Sequence, residues 1–280
     1  MVFVTKFDGT KQKFDKNKIV NTCLRNGSSR KVAEAIAEEV EMRIYDGIET
    51  RKILQMTFRL LSKYKPSVKN QIDLRKALAL MRSAPDFERF IQLLFSEHGY
   101  KVVSNRIVKG RCIEHEVDAI VTRDNKTFIV EVKHHMNYHS PTGLDVSRIA
   151  RAVFEDLTEG FELGFNTIKI DGAIIVCNTK LSGHAKRYAE CRGIGHIGWS
   201  SPPKRDLQTL IEEKKLYLIT YLKGLSISDR KKLASKGILV LKQLIRMEPE
   251  ELRKQSGISP KILKDLVGKA KSILSGNLND

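Results

Sequence analysis

The chain has 280 residues, 41% of them hydrophobic, and a formal net charge of +17. That is enough chain for two or three domains with real cores, and the charge points to a polyanion as partner. No apolar run approaches the ~18 residues of a membrane span, the start "MVFVTKFDGT" lacks signal-peptide architecture, and four scattered cysteines without a C-x-x-C argue against a disulfide framework or a cysteine-rich zinc site, so a cytoplasmic location is expected.

The charge is unevenly spread. Residues 1–84 hold 18 Lys and Arg against 9 Asp and Glu, residues 85–200 hold 15 against 15, and residues 201–280 hold 17 against 9. Two basic flanks around a neutral middle suit a polyanion gripped at the ends and handled in the centre, though a Lys-rich soluble surface gives the same counts.

Asp8-Gly9 between "VFVT" and "KQKF" predicts a hairpin. Helices are predicted at 16–26, 30–44, 50–64 and 68–82, the second on a stripe of Val32, Ile36, Val40 and Ile44. "SAPD" at 83–86 reads as the cap and first turn of a helix with Phe87, Phe90, Ile91, Leu94 and Phe95 on one face, ended by Gly99. Strands are predicted at 100–108, 113–122 and 127–133, the last two joined by Asp124-Asn125; then come a helix at 144–160, a strand at 169–177, a helix at 182–191 and a strand at 194–199. That order predicts a mixed sheet with helices on its faces. "SSPPKR" at 200–205 reads as a linker. Short helices follow, the clearest opening at Pro260 with a stripe of Ile262, Leu263, Leu266, Val267, Ala270, Ile273 and Leu274.

With a period of two, Ile129, Glu131 and Lys133 share one face of their strand, and Glu116, Asp118 and Ile120 share one face of theirs. Pairing the apolar faces across the short turn brings Asp118 beside Glu131 and Lys133. Two carboxylates on a buried sheet are costly unless compensated. A hard divalent cation compensates them, because Mg2+ prefers one or two carboxylates plus waters and phosphate oxygens. The lysine suits an attacking water or charge developing on a phosphate. An ordinary salt bridge at a sheet edge would use the same residues. His134, His135 and His139 read either as a proton relay, a phosphate contact or a Mn2+ preference, or as polar residues closing the strand.

The Asp118 … Glu131-x-Lys133 pattern after an opening helix resembles the PD-(D/E)xK nuclease superfamily, and within it Mrr-like restriction endonucleases and archaeal Holliday-junction resolvases. "FERFIQLLFSEHGYKVV" is similar to their opening helix, "HEVDAIV" and "FIVEVK" to the strands, and "GAIIVCNTKLSGHAKRYAECRGIGHIGW" to the Mrr-type tail. The resemblance covers about residues 85–200; Val117 stands where the superfamily's name has a proline. It implies a DNA endonuclease with Asp118 and Glu131 as ligands of Mg2+ or Mn2+, Glu88 as a further carboxylate and Lys133 as the catalytic lysine.

Residues 1–84 resemble the ATP-cone, the nucleotide-binding regulatory domain of ribonucleotide reductases. Val4, Lys6, Asp8, Gly9, Phe14, Asp15, Lys18 and Ile19 meet its V-x-K-x-D-G and F-D-x-x-K-I patterns, and "YDGIET" matches the cone around Thr50. The resemblance implies ATP or dATP held by Lys6, Gln12, Lys18 and Thr50; Leu54 departs from the histidine that some cones carry. The third segment resembles helix-hairpin-helix modules. That implies DNA phosphate contacts through the backbone of Gly257 and Ile258, supported by Lys261 and Lys264, although the second glycine of the commonest form is missing.

The expectation is an α/β (α+β) protein of three domains: an ATP-cone at 1–84, a nuclease domain at 85–200, and an all-α helix-hairpin-helix domain at 222–280 after a linker and connecting helix at 201–221. The whole resembles an archaeal group of this architecture. It implies a homodimeric, metal-dependent DNA endonuclease regulated by nucleotide. The competing expectations are a non-catalytic, nucleotide-responsive DNA-binding regulator and a nucleotide-sensing assembly protein.

Overall fold

The computed structural model describes residues 2–275. Strands β1 (Phe3–Thr5) and β2 (Lys11–Lys13) form the expected antiparallel hairpin, with Val4 opposite Gln12. Its turn puts Gly9 at φ +79°, which glycine alone adopts cheaply. Helices α1 (Lys16–Arg25) and α2 (Arg30–Glu41) start on Asp15 and Ser29, whose side chains accept the N–H of Asn17 and Val32. The buried stripe of α2 runs through Ala33, Ile36, Ala37 and Val40, while Val32 and Ile44 pack only at its margin. Strand β3 (Ile48–Glu49), absent from the sequence reading, lies parallel to β1, and α3 (Thr50–Tyr64) follows it directly. The helix expected over 68–82 is interrupted: a 3-10 turn at Pro66–Asn70 gives way to extended chain before α4 (Leu74–Ala79).

A π-type turn over Ser83–Phe87 precedes α5 (Glu88–Glu97). Ser83 does not cap that helix; its hydroxyl donates to Nδ1 of His134 at 3.0 Å. Asp86 receives both Nε and Nη2 of Arg82 at 2.7 Å. The apolar face is as read, with Phe87, Phe90, Ile91, Leu94 and Phe95 all buried.

Strands β4 (Lys101–Lys109), β5 (Glu114–Arg123) and β6 (Lys126–Lys133) run antiparallel, and Asp124 and Asn125 turn the second hairpin with φ of 52° and 59°. Helix α6 (Leu144–Glu162) leads to β7 (Gly172–Cys177) and α7 (Gly183–Cys191) to β8 (Gly195–Ile197), both strands parallel to their neighbours. The mixed sheet therefore runs in strand order. Ile120, Ile129, Ala173 and Ile175 form a core with Val146, Ala150 and Leu157 of α6.

Residues 201–221 are more than a linker. Asp206 caps α8 (Leu207–Glu213), and Leu207, Ile211, Leu216 and Leu218 are buried. The Thr220 hydroxyl donates to the Ala77 carbonyl at 2.7 Å.

Four helices close the chain: α9 (Ile227–Ser235), α10 (Leu241–Arg246), α11 (Pro249–Ser256) and α12 (Pro260–Ser275). Gly237 and Gly257, with φ of +76° and +61°, turn the two helix pairs. The stripe of α12 is narrower than read: Leu263, Leu266, Ala270 and Ile273 are buried and Ile262 is exposed.

The chain divides into two compact units, Leu74–Thr220 on one hand and Met1–Asp73 with Tyr221–Asp280 on the other. In the second unit the two stretches meet at an antiparallel bridge between Gln71 and Leu222, flanked by Ile72 N–H to Tyr221 O at 2.9 Å and Lys223 N–H to Asn70 O at 2.8 Å. Where the sequence reading drew three domains, the terminal segments here share one unit.

Candidate active site

Ala119 pairs with Val130 and Ile120 with Ile129. One step further along that ladder, Asp118 falls opposite Glu131 on the same sheet face, and Lys133 follows two residues on. Both carboxylates are half-buried and Lys133 is exposed. Asp118 Oδ2 accepts the N–H of Val132 at 2.7 Å. Burial pushes the Asp118 pKa up, with Glu88 and Glu116 adding to it against the Val132 N–H and Lys133. Burial also drives Glu131 up, to about 7, helped by Asp118 and Glu88 and opposed by Lys133. The three residues read from the strands and the Glu88 carboxylate on α5 thus act on one another electrostatically.

Two further side chains belong to this centre. Asn105 stands across from Asp118 in the middle of β4, between the pairs Ser104–Ala119 and Arg106–Val117, and takes a left-handed φ of 36°. Gln92, one turn after Glu88 on α5, donates its amide to Asn105 Oδ1 at 2.7 Å and to the Asp118 carbonyl at 2.8 Å. Asn105 in turn donates to Glu88 Oε2 at 3.3 Å. This amide bridge ties the Asp118 backbone to the Glu88 carboxylate. The sequence offered two signals for it: an asparagine inside a strand, the residue type that best tolerates left-handed backbone, and a glutamine at i+4 from Glu88.

His134 and His135 are bonded within the fold. His134 Nε2 donates to the Leu78 carbonyl at 3.0 Å, which leaves Nδ1 to accept from Ser83, and its ring packs 5.0 Å from that of Phe87. Burial holds its pKa down. His135 is locked to Asn178 by two hydrogen bonds of 2.8 Å and reaches the Thr142 hydroxyl at 3.1 Å, joining the ends of β6 and β7. Its pKa is also lowered, by burial and then by Lys133. His139 is exposed beside the Tyr138 ring.

Asp118 and Glu131 fit a hard cation by donor type: neighbouring carboxylates whose charge the surroundings disfavour. Among the described residues, no group of three or more His, Cys, Asp or Glu side chains is gathered for a metal. The remaining coordination would therefore fall to backbone, water or substrate.

At the N-terminus, Lys6 and Thr50 directly follow the paired residues Thr5 and Glu49 of β1 and β3. Gln12 is half-buried in β2, and Lys18 is exposed in the first turn of α1. In the tail, Lys261 and Lys264 are exposed on α12. The Gly257 N–H donates to the Arg253 carbonyl at 2.9 Å and the Ile258 N–H to Ser256 Oγ at 3.3 Å. Both of these N–H groups already have acceptors within the fold. No helix of the described residues is long and apolar enough to cross a membrane.

Comparison with known proteins gives two family matches. Residues 80–197 match the restriction endonuclease family, and residues 217–274 match the family described as AF1548-like, C-terminal. An uncharacterized protein of Archaeoglobus fulgidus is 34% identical over 183 residues, which is 65% of this chain and 98% of the relative. A second uncharacterized protein of that organism is 51% identical over 41 residues, 15% of this chain and 87% of its own length. The crystal structure of the protein of unknown function AF1548 matches with a TM-score of 0.57 at 32% identity, covering 68% of this chain and 97% of AF1548. Similarity at that level along nearly a whole relative marks common descent, and the chain belongs to the AF1548-like family, with a restriction-endonuclease domain as its central part.

Proposed function

We propose that the centre hydrolyses DNA phosphodiester bonds, with Asp118 and Glu131 holding Mg2+ or Mn2+ and Glu88 completing the acidic set. The observation that carries this reading is the register: Asp118 opposite Glu131, two half-buried carboxylates whose charge burial disfavours, with Lys133 on the same face. Bound there, the cation would supply a polarised water and neutralise charge on the phosphate. Lys133 places a compact positive charge where negative charge grows on the scissile phosphate. Glu131, raised to about 7 by burial and then by Asp118 when no cation is bound, is a carboxylate whose charge a bound cation would favour. Gln92 and Asn105 keep Asp118 and Glu88 in place.

The flanks complete the proposal. Lys6, Gln12, Lys18 and Thr50 would hold ATP or dATP and regulate cutting; the pairing of Thr5 with Glu49, the residues just before Lys6 and Thr50, supports this. Lys261 and Lys264, near the Gly257–Ile258 turn, would hold DNA phosphates, supported by the basic excess of residues 201–280. A homodimer would present two such centres to a duplex.

The test is cleavage of linear, branched and single-stranded DNA with Mg2+ or Mn2+, with and without ATP or dATP. Lys133→Ala should leave DNA and metal binding nearly intact while slowing cleavage by roughly 10²-fold or more. Lys133→Arg should not restore it, because a guanidinium is bulkier and keeps its proton. Wild-type cleavage by Lys133→Ala would make the lysine a surface charge. DNA binding without cleavage by the wild type would favour the nucleotide-responsive regulator instead.

A further inference from the structure

A cavity of the Leu74–Thr220 unit lies away from the carboxylates. It measures about 560 Å3 and lies among Phe95, Tyr100, Arg123, Ile174, Lys204 and Arg205. Arg123 is five residues beyond Asp118 on β5, about 17 Å at the usual strand rise. Ile174 pairs with Val130, so it belongs to the sheet face opposite that of Glu131. The cavity is therefore a separate feature with its own chemistry.

That chemistry has two halves. Leu94, Ile174, Ile197 and Leu210 make an apolar wall. Against it stand three basic side chains, Arg123, Lys204 and Arg205; Glu213 is the carboxylate among the lining residues, and Asp124 Oδ2 lies 3.4 Å from Arg123 Nε. Arg123 comes from the electrically balanced stretch 85–200, whereas Lys204 and Arg205 open the basic last segment. The neighbouring Asp206 is engaged elsewhere. Its carboxylate accepts the N–H of Gln208 and Thr209 and the Thr209 hydroxyl, at 3.1, 3.2 and 2.8 Å.

The walls are preformed. The Arg123 guanidinium lies 4.3 Å from the Tyr100 ring centroid and donates to the His98 carbonyl at 3.3 Å, while Phe95 meets Tyr100 edge-on at 5.1 Å. His98 Nε2 donates to the Leu210 carbonyl at 3.0 Å, fixing α5 to α8. Ser200 and Lys204 take left-handed φ of 55° and 66°, conformations non-glycine residues seldom adopt and ones that tend to persist at ligand sites. Burial lowers the pKa of His196, whose ring is bonded to Ser201 Oγ at 3.2 Å.

We propose that this cavity binds a nucleotide, with Lys204 and Arg205 on the phosphate and the planar base between the Arg123 guanidinium and the apolar wall. Its volume falls in the range of small-molecule sites, and guanidinium groups both pair with phosphate and stack on flat rings. A free mononucleotide and the terminal nucleotide of a DNA strand offer the same chemistry. The proposal is independent of catalysis at the carboxylates.

The test uses the full chain carrying Lys6→Ala and Lys18→Ala, which removes the other nucleotide candidate. Calorimetric titrations with AMP, adenosine, inorganic phosphate and a 5′-phosphorylated oligonucleotide should show AMP binding, with adenosine and phosphate weaker by about tenfold or more. Arg205→Ala and Arg123→Ala should each cost about tenfold in AMP affinity with an unchanged melting temperature. Arg205 is exposed, so its replacement tests the site even if Arg123→Ala disturbs the fold. An oligonucleotide that binds tighter than AMP and loses that affinity in Arg205→Ala identifies a strand end; AMP binding alone identifies a free nucleotide. No AMP or oligonucleotide binding at about 5 mM, or equal binding by both arginine variants, overturns the proposal.

Discussion

Glu131 sits where its charge costs the fold. Its carboxyl is raised from 4.5 to about 7, so the folded state holds the proton more tightly than the unfolded chain does. Between those values the folded state binds more protons, and stability falls as pH rises. In metal-free solution, Glu131→Gln should therefore be more stable than the wild type near pH 8, by roughly 2–3 kcal/mol, and no more stable near pH 5. Melts of both chains in EDTA at the two pH values check it; a gain that persists at acid pH would assign the strain to packing instead. Gln92 carries a second prediction. Gln92→Ala removes both of its hydrogen bonds and should cost about 1–2 kcal/mol of stability. It should also weaken Mn2+ binding, which Gln92→Glu would not repair, since a carboxylate cannot donate to the Asp118 carbonyl. Unchanged Mn2+ affinity by calorimetry would reduce Gln92 to packing. The carboxylates and the lysine were legible because a period of two is robust in a buried hairpin. The amide bridge was not, because it depends on one left-handed residue and on a helix approaching from elsewhere.

Among the elements, the β4–β5 hairpin has a clamp of its own. Asp156 on α6 accepts the N–H of Cys112 at 2.8 Å and of Ile113 at 3.4 Å, and His115 Nε2 lies 2.7 Å from it. Burial alone would raise the Asp156 pKa, but these partners outweigh it and hold the carboxyl near 2. The depressed value means the clamp is whole above about pH 4 and fails as pH falls through about 2. Gly110 is required beneath it, since a Cβ there would come 1.9 Å from Asp156 Oδ2. Asp156→Ala should cost roughly 2 kcal/mol near neutral pH, and acid unfolding of the variant should lose its component between pH 4 and pH 2. Hydrogen exchange at Cys112 and Ile113 should rise at the same time; unaltered protection there would sink the clamp. Helix and strand order in this unit followed from local pattern, with most ends off by a residue or two; β7 begins three residues later than the sequence predicts, α5 begins at Glu88 rather than within "SAPD", and the helix predicted over 68–82 is reduced to α4. Strand β3 did not follow from local pattern, being two residues long and held by a partner more than 40 residues away.

For the whole molecule, the cut between parts matters. The sequence assigns residues 201–221 to a linker and connecting helix, yet Leu207, Ile211, Leu216 and Leu218 are buried within the central unit. Burying four such side chains contributes about 8 kcal/mol, comparable with the whole stability of a domain. Residues 74–220 expressed alone should melt cooperatively, and residues 74–203 should not. Circular dichroism melts of the two fragments decide it, and a folded 74–203 fragment would return residues 207–220 to the role of tether.

The bridge between Gln71 and Leu222 has a consequence for synthesis. The central unit enters and leaves the other unit at adjacent points, like a guest spliced into a host. On the ribosome the first 73 residues emerge about 150 residues before the stretch that meets them, a delay of roughly 10–30 s at ordinary elongation rates. The host half-unit must wait while the guest folds, and the clasp at Asn70–Lys223 closes last. Inserting a stop codon after Thr220 would thus leave two products of different fate on one chain: a finished guest and an abandoned host.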